Sequence, residues 1–400
     1  MNGRFFIYTI IILSLPFQFS FQLNFYGTAQ YKIEEGWDFS KISPNQIEIS
    51  NKITTYAAAI FAIVSIFVSY KIQKRRLPIC VMFIVNAIVF IFYLMINDNN
   101  FVLVLILKFF NGVLLGFFQS VHISYLMHFV DEEFIAFNGC LVQFSMFLSL
   151  ILVEILTYLI HWKMISVIII VQSFLFAGLI WIVPEVPIVP KKKSGLYIWK
   201  KPYLKNCLVM MAIMLLQGFS GIGFMIDNCA RLMSAVGINI HSTLQSALTN
   251  FIGFLAVLIS AFIMDIIGVR NLWAFSTFGL VISLVLYAIT LKMETPKWLG
   301  VFSVFLYFLF YGLGSGPIPW LLCGVIFPEN LRIETGGINC FMNRFLDIWF
   351  GAYVVGNITK SFGEFGSILF NVCASILAAF FGLFFIPKFK NGKAENASLL

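Results

Sequence analysis

Long apolar runs alternate with short polar gaps along the whole chain. The runs lie near 4–29, 52–71, 78–97, 101–128, 134–160, 163–184, 204–233, 243–268, 271–292, 298–327, 335–360 and 364–387. A helix needs about 20 apolar residues to cross a hydrocarbon core, so the pattern predicts twelve membrane-spanning helices. The runs are continuous, whereas a membrane barrel would alternate apolar and polar positions in segments of about ten residues. The first run follows Arg4 and resembles a signal peptide at a glance. It is long, has no small-residue cleavage site and carries Gln18, Gln22 and Asn24, which reads as a retained helix with one polar face.

Composition agrees. The chain has 60% hydrophobic and only 11% charged residues, with a mean hydropathy of +0.94. Soluble proteins carry about 25% charged residues, so a soluble enzyme and a disordered chain are both excluded. The fold class expected is all-α integral membrane. The polar, basic, Pro-containing stretch 185–205 falls midway, leaving six spans on each side. The expected organisation is an N-terminal six-helix bundle over 1–184, a short linker over 185–205, a C-terminal six-helix bundle over 206–387 and a tail over 388–400.

The net charge of +8 reads as a topology signal. With the N-terminus inside, sixteen of the 26 Lys and Arg fall in cytoplasmic segments, nine fall outside and Arg344 lies within span eleven. Cytoplasmic loops carry the excess of Lys and Arg, which places both termini in the cytoplasm and removes any need for a nucleic-acid partner. The seven cysteines are scattered through apolar runs without a CxxC, and the four histidines lack ligand spacing. No metal site, cofactor or nucleophile–base pair is expected.

Polar residues inside spans must face other helices or a watery cavity. They are Gln18, Gln22 and Asn24 in span one, Gln143 in span five, Gln217, Asp227 and Asn228 in span seven, Asn250 in span eight, and Asn339 and Asn343 in span eleven. Amides both donate and accept hydrogen bonds, as does every hydroxyl of a neutral polyol. Their source in both halves predicts a shared polar cavity. Span ten holds Gly312-Leu-Gly-Ser-Gly316-Pro317-Ile-Pro319-Trp320. Two prolines remove helix hydrogen bonds and glycines permit bending, so this helix should break near the membrane centre, with Trp320 offering a flat face and one donor beside the break.

That stretch resembles the tenth-helix motif of the sugar porter family of the major facilitator superfamily. Other motifs follow in the family's order: Gln18-Phe19; Gly112, Gly116 and Tyr125; Gln143; Pro184-Glu185-Val186-Pro187; Gln217 with Ser220-Gly221-Ile222; Asp265, Gly268 and Arg270; and Asn343. The resemblance covers nearly the whole chain. It implies the major facilitator fold and a transmembrane hexose transporter working by alternating access. The implied sugar contacts are Gln143, Gln217, Trp320 and Asn343, with Asn250 standing in for an absent helix-eight asparagine and Gln22 on helix one. The implied gate and hinge residues are Gly316, Pro317, Pro319, Asp265, Gly268 and Arg270.

Departures matter. Lys71 stands where the family has Asp, His128 where it has Glu, and Ile135 where it has Arg. These exchanges predict a weakened cytoplasmic latch and a shift toward inward-facing states. Gln22 stands where proton-driven members keep an acid, which favours passive facilitation over proton symport, although Glu154 and Asp227 remain as intramembrane acids. Arg344 is expected to pair with Asp347 at i+3; facing the cavity instead, it would favour a small organic anion or sugar phosphate. A non-transporting sugar receptor would need a longer tail than the dozen or so residues after Pro387. The expected setting is the plasma membrane, with lipid around a monomer.

Overall fold

The computed structural model describes residues 3–34, 44–96, 101–130, 134–188, 197–223, 225, 240–346, 353–390 and 393–394. The first half holds α1 (Gly3–Ile12), α2 (Ser14–Glu34), α3 (Pro44–Ile72), α4 (Arg76–Tyr93), α5 (Phe101–Leu126), α6 (Ile135–Leu159) and α7 (Trp162–Leu179). The second holds α8 (Leu204–Phe219), α9 (Ser242–Ile267), α10 (Val269–Lys292), α11 (Lys297–Phe310), α12 (Ile318–Val325), α13 (Arg332–Leu346) and α14 (Gly356–Phe385). Ten helical stretches among the described residues are long and apolar enough to cross a membrane, and α8 is a shorter apolar helix. The chain is therefore an all-helical integral membrane protein, its outer face studded with bare apolar side chains such as Ile266, 83% exposed, and Phe384, 75% exposed.

Local chemistry explains the helix ends. Pro16 has no amide hydrogen for the carbonyl of Ile12, and there α1 gives way to α2, the two forming one span. Pro44 begins α3, where its missing donor costs nothing. Gly268 turns the chain from α9 directly into α10 with φ +83°, a backbone region that glycine enters freely.

One boundary differs from the sequence expectation, and another agrees with it. Helix extends into the gap between the first two apolar runs from both sides, since α2 runs on to Glu34 and α3 begins at Pro44. The expected gap between the last two spans, 361–363, is matched: α14 carries a break at Gly363, where the backbone leaves the helical region. Past α14, Phe389–Lys390 pairs with Lys393–Ala394 in a two-residue antiparallel ladder. The second part of span seven, Lys191–Lys193, acids 131–133, Asp227, Asn228 and Asp347 lie outside the described residues.

Within the first half, α3 packs on α5, α2 on α6 and α4 on α7; within the second, α10 packs on α14 and α11, and α8 on α14. Across the halves, α6 meets α9, and α13 lies against α3 and α5. This last seam is tight. A Cβ on Gly336 would overlap the carbonyl oxygen of Ser120 on α5, and one on Gly337 would overlap Ile66 on α3.

Candidate functional site

The break in the tenth span organises the site. α11 passes into a π-helical turn, Tyr311–Ser315, before α12 resumes at Ile318. Pro317 and Pro319 have no amide hydrogens for the carbonyls of Leu313 and Ser315, four residues earlier. A buried carbonyl without a partner is costly, and both find one on another helix. The Ser260 hydroxyl of α9 donates to Leu313 O at 2.7 Å. The Gln217 amide of α8 donates to Ser315 O at 2.7 Å and Gly316 O at 3.1 Å, with the Tyr311 hydroxyl oxygen at 3.3 Å. The expected break is present, and neighbouring helices supply the hydrogen bonds it gives up.

Trp320 stands just past the break on α12. It is 3% exposed, and its ring centroid lies 6.1 Å from that of His122 on α5, in the other half. Leu321 beside it meets Gly139 of α6. Gly139 lies one turn before Gln143 on the same helix face, so Gln143 is carried to the same level. On the other side, the Asn343 amide of α13 reaches the Met214 sulfur of α8 at 3.7 Å, one turn before Gln217. Arg344 lays its guanidinium 5.1 Å from the centroid of Phe19 on α2 and donates to Asn343 Oδ1. Residues of α2, α13, α8, α12, α5 and α6 thus close a ring between the halves. The same helices carry buried polar atoms without hydrogen-bond partners inside the protein: both amide atoms of Gln18 on α2, Gln143 Oε1 on α6, Gln119 Nε2 on α5 and Asn339 Oδ1 on α13. Buried groups of this kind bind water or a polar ligand.

Of the expected sugar contacts, Gln217 holds the break itself, Trp320 follows it against His122, Asn343 reaches α8 through Met214, and Gln143 lies one turn after the Gly139–Leu321 contact. The structure gives the other two expected sugar contacts different partners. Gln22 donates to Asn86 Oδ1 at 2.7 Å, and Asn86 donates to the Ser173 hydroxyl at 2.8 Å, a chain within the first half. Asn250 donates to Glu154 Oε1 at 2.9 Å and Oε2 at 3.1 Å, while Asn24 donates to the same carboxylate at 3.0 Å. Amides attract each other across helices as readily as they attract ligand, and the polar pattern alone does not say which.

His122 and Gln119 were not singled out by the sequence. His122 is 1% exposed, with no side-chain partner for either ring nitrogen. Gln119 accepts from the Cys340 thiol of α13 at 3.2 Å. Gln119, His122 and Tyr125 recur at every third position, a polar stripe on α5 that the sequence displays.

At the basic end the halves are joined by contacts the sequence reading did not foresee. His128 Nδ1 meets Glu329 Oε1 at 2.5 Å, and Arg332 donates to Met127 O at 3.0 Å. The Tyr70 hydroxyl donates to Glu334 Oε1 at 2.7 Å, and Glu334 Oε2 accepts from the Ile198 amide at 2.9 Å. Glu185 accepts from the Arg75 amide at 2.7 Å. Burial lowers the Arg75 guanidinium from its ordinary value, opposed chiefly by the nearby Glu329 carboxylate. At this end His128, Tyr70 and Met127 of the first half thus take partners from the second: Glu329, Glu334 and Arg332. The Asp265/Arg270 loop is not part of these contacts. Arg270 donates to Ile386 O at 2.6 Å within the second half, and Asp265 is exposed.

Comparison with known proteins bears on the fold and the family. A family model described as sugar (and other) transporter matches residues 190–399. The chain is 24% identical over 216 residues to a facilitated trehalose transporter Tret1-2 homolog of Drosophila sechellia, covering 51% of this chain and 43% of that relative. It is 26% identical over 223 residues to sugar transporter ERD6-like 7 of Arabidopsis thaliana, covering 52% and 45%. The match thus spans less than half the length of either relative. Among solved structures, the major facilitator superfamily proton:xylose symporter XylE bound to 6-bromo-6-deoxy-D-glucose superposes with a TM-score of 0.82 at 14% identity, covering 100% of this chain and 99% of that one. FucP, a major facilitator superfamily transporter in the outward conformation, gives 0.73 at 12% identity, covering 95% and 99%.

Proposed function

The chain belongs to the family of sugar (and other) transporters, and from that premise we propose that it carries a neutral hexose passively across the plasma membrane by alternating access, as a monomer. The observation that carries this reading is the ring at the broken tenth span. Its amides and Trp320 come from both halves, and several of its buried atoms lack partners inside the protein. Gln143, Gln217, Trp320, Asn343 and His122 replace the sugar's water, with the indole stacked on its C–H face. The halves then rock about the α6–α9 and α3–α13 seams. The basic end, with both chain termini, faces the cytoplasm. Millimolar affinity, about −4 kcal/mol, suffices for binding and keeps release fast.

Passive transport rests on Gln22. It cannot titrate, and it is held by Asn86 inside the first half. Uptake of labelled glucose, xylose, fucose and trehalose into proteoliposomes tests the reading. Equilibrative glucose uptake supports it, and trehalose uptake without glucose uptake would replace the hexose with a disaccharide.

A second reading, proton-coupled symport, is favoured by one observation. The Glu154 carboxylate is 3% exposed and bridges amides of α2 and α9 across the halves. Accumulation above equilibrium that a protonophore and Glu154→Gln both abolish would establish it.

A further inference from the structure

Away from the ring, on the outer face of the second half, α8 and α14 part to form a groove of about 710 Å³. It opens at the basic end, where α8 begins at Leu204 and α14 finishes at Phe385. Its walls include Leu208 and Ala212 of α8 and Phe381 and Phe385 of α14. Leu208 is 53% exposed and Phe385 48% exposed, so the groove faces outward, where a membrane protein meets lipid. Ala212 lies two helical turns in from Leu204, roughly 12 Å at 1.5 Å per residue.

The mouth has a different chemistry. Lys201 and Lys205 line it, and both are exposed. Neither has an ion-pair partner among the described residues. Lys200 stands beside them, and Lys388 follows the end of α14. A deep apolar wall with cations at its rim matches a molecule with a long hydrocarbon chain and an anionic head. It does not match a free anion, which would gain nothing from the phenylalanines, or a zwitterionic lipid, whose own ammonium group opposes the lysines.

We propose that the α8–α14 groove is a binding site for an anionic glycerophospholipid. Lys201 and Lys205 hold its phosphate, and one acyl chain lies along Leu208, Ala212, Phe381 and Phe385. The site bears on the central ring because α8 is the helix that ends in Gln217, whose amide holds the carbonyls of the tenth-span break. A chain wedged between α8 and α14 fixes the inclination of α8 and thereby the position of that amide.

The test is a binding measurement and does not depend on which substrate is carried. The full chain, purified in a neutral detergent, is mixed with equal amounts of dioleoyl phosphatidylglycerol and dioleoyl phosphatidylcholine, and retained lipid is counted by native mass spectrometry. The expected result is at least a five-fold preference for phosphatidylglycerol. The preference should vanish in Lys201→Glu with Lys205→Glu and persist in Lys292→Glu with Lys297→Glu at the far end of the second half. Ala212→Phe, which fills the groove and leaves the lysines, should lower phosphatidylglycerol retention several-fold. Excess inorganic phosphate should not displace the lipid. Equal retention of the two lipids by the wild-type chain would overturn the proposal, even if no variant folds. So would a preference that survives reversal of Lys201 and Lys205, or displacement by inorganic phosphate, which would make the lysines a simple anion site.

Discussion

Gln217 carries two duties that the sequence displays as one. As an amide in an apolar span it reads as a ligand contact, yet its nitrogen holds the carbonyls that Pro319 and the π turn leave open. Gln217→Leu should therefore lower both thermal stability and sugar uptake, as a thermal melt and an uptake assay on the same preparation would show. A buried acceptor left open costs about 1–3 kcal/mol. Trp320→Ala and Gln143→Ala should instead cut uptake several-fold at near-normal surface level, since each removes about 1–2 kcal/mol of contact with the ligand. Wild-type transport in both would remove them from the site. Arg344 sits on Phe19 next to Asn343, and Arg344→Gln should spare glucose uptake. If glucose-6-phosphate competes with glucose in the wild type and not in Arg344→Gln, the carried ligand is an anion. The residue types of the site were legible because an amide or indole in hydrocarbon needs a reason to be there. Their partners were not. Asn250 and Gln22 look like Gln143 in the sequence, and only tertiary placement sends them to Glu154 and Asn86. His122 was missed because its neighbour, Trp320, comes from the other half of the chain.

At the level of elements, the broken tenth span was legible in full, since prolines two apart after a run of glycines leave a helix no regular continuation. The basic-end latch was not. His128 looked like a lost carboxylate, whereas the structure gives it Glu329 as an acid from the opposite half. The pair is part-exposed, with side chains 35% and 49% accessible, and exposed pairs contribute at most about 1 kcal/mol. Glu329→Gln should therefore loosen the end only slightly. Cysteine labelling at a position masked by the latch should rise by less than about five-fold, the equivalent of ~1 kcal/mol. The close seam matters more. Gly336→Leu drives a side chain into the Ser120 carbonyl, and overpacking of this kind costs typically 1–3 kcal/mol or more. It should depress folded yield well beyond any latch variant, as size-exclusion chromatography would report.

For the whole molecule, long apolar runs separated by short polar gaps were enough to anticipate an all-helical integral membrane protein, because a bilayer leaves few ways to satisfy a backbone. The division of the last two spans was legible too, since the gap between the runs ending at 360 and starting at 364 holds Gly363, where φ is +70°. The account treats the protein as a carrier whose central ring faces one side at a time. A pH gradient should not drive glucose above equilibrium, because Gln22 has no proton to exchange. The most direct test of the carrier claim is entrance counterflow. Proteoliposomes loaded with unlabelled glucose are diluted into a trace of labelled glucose, with no ion gradient, and internal label is followed in time. The account predicts a transient overshoot of label above its equilibrium level, sharply reduced by Trp320→Ala. A monotonic rise to equilibrium, or no entry of label from correctly folded protein, would contradict it.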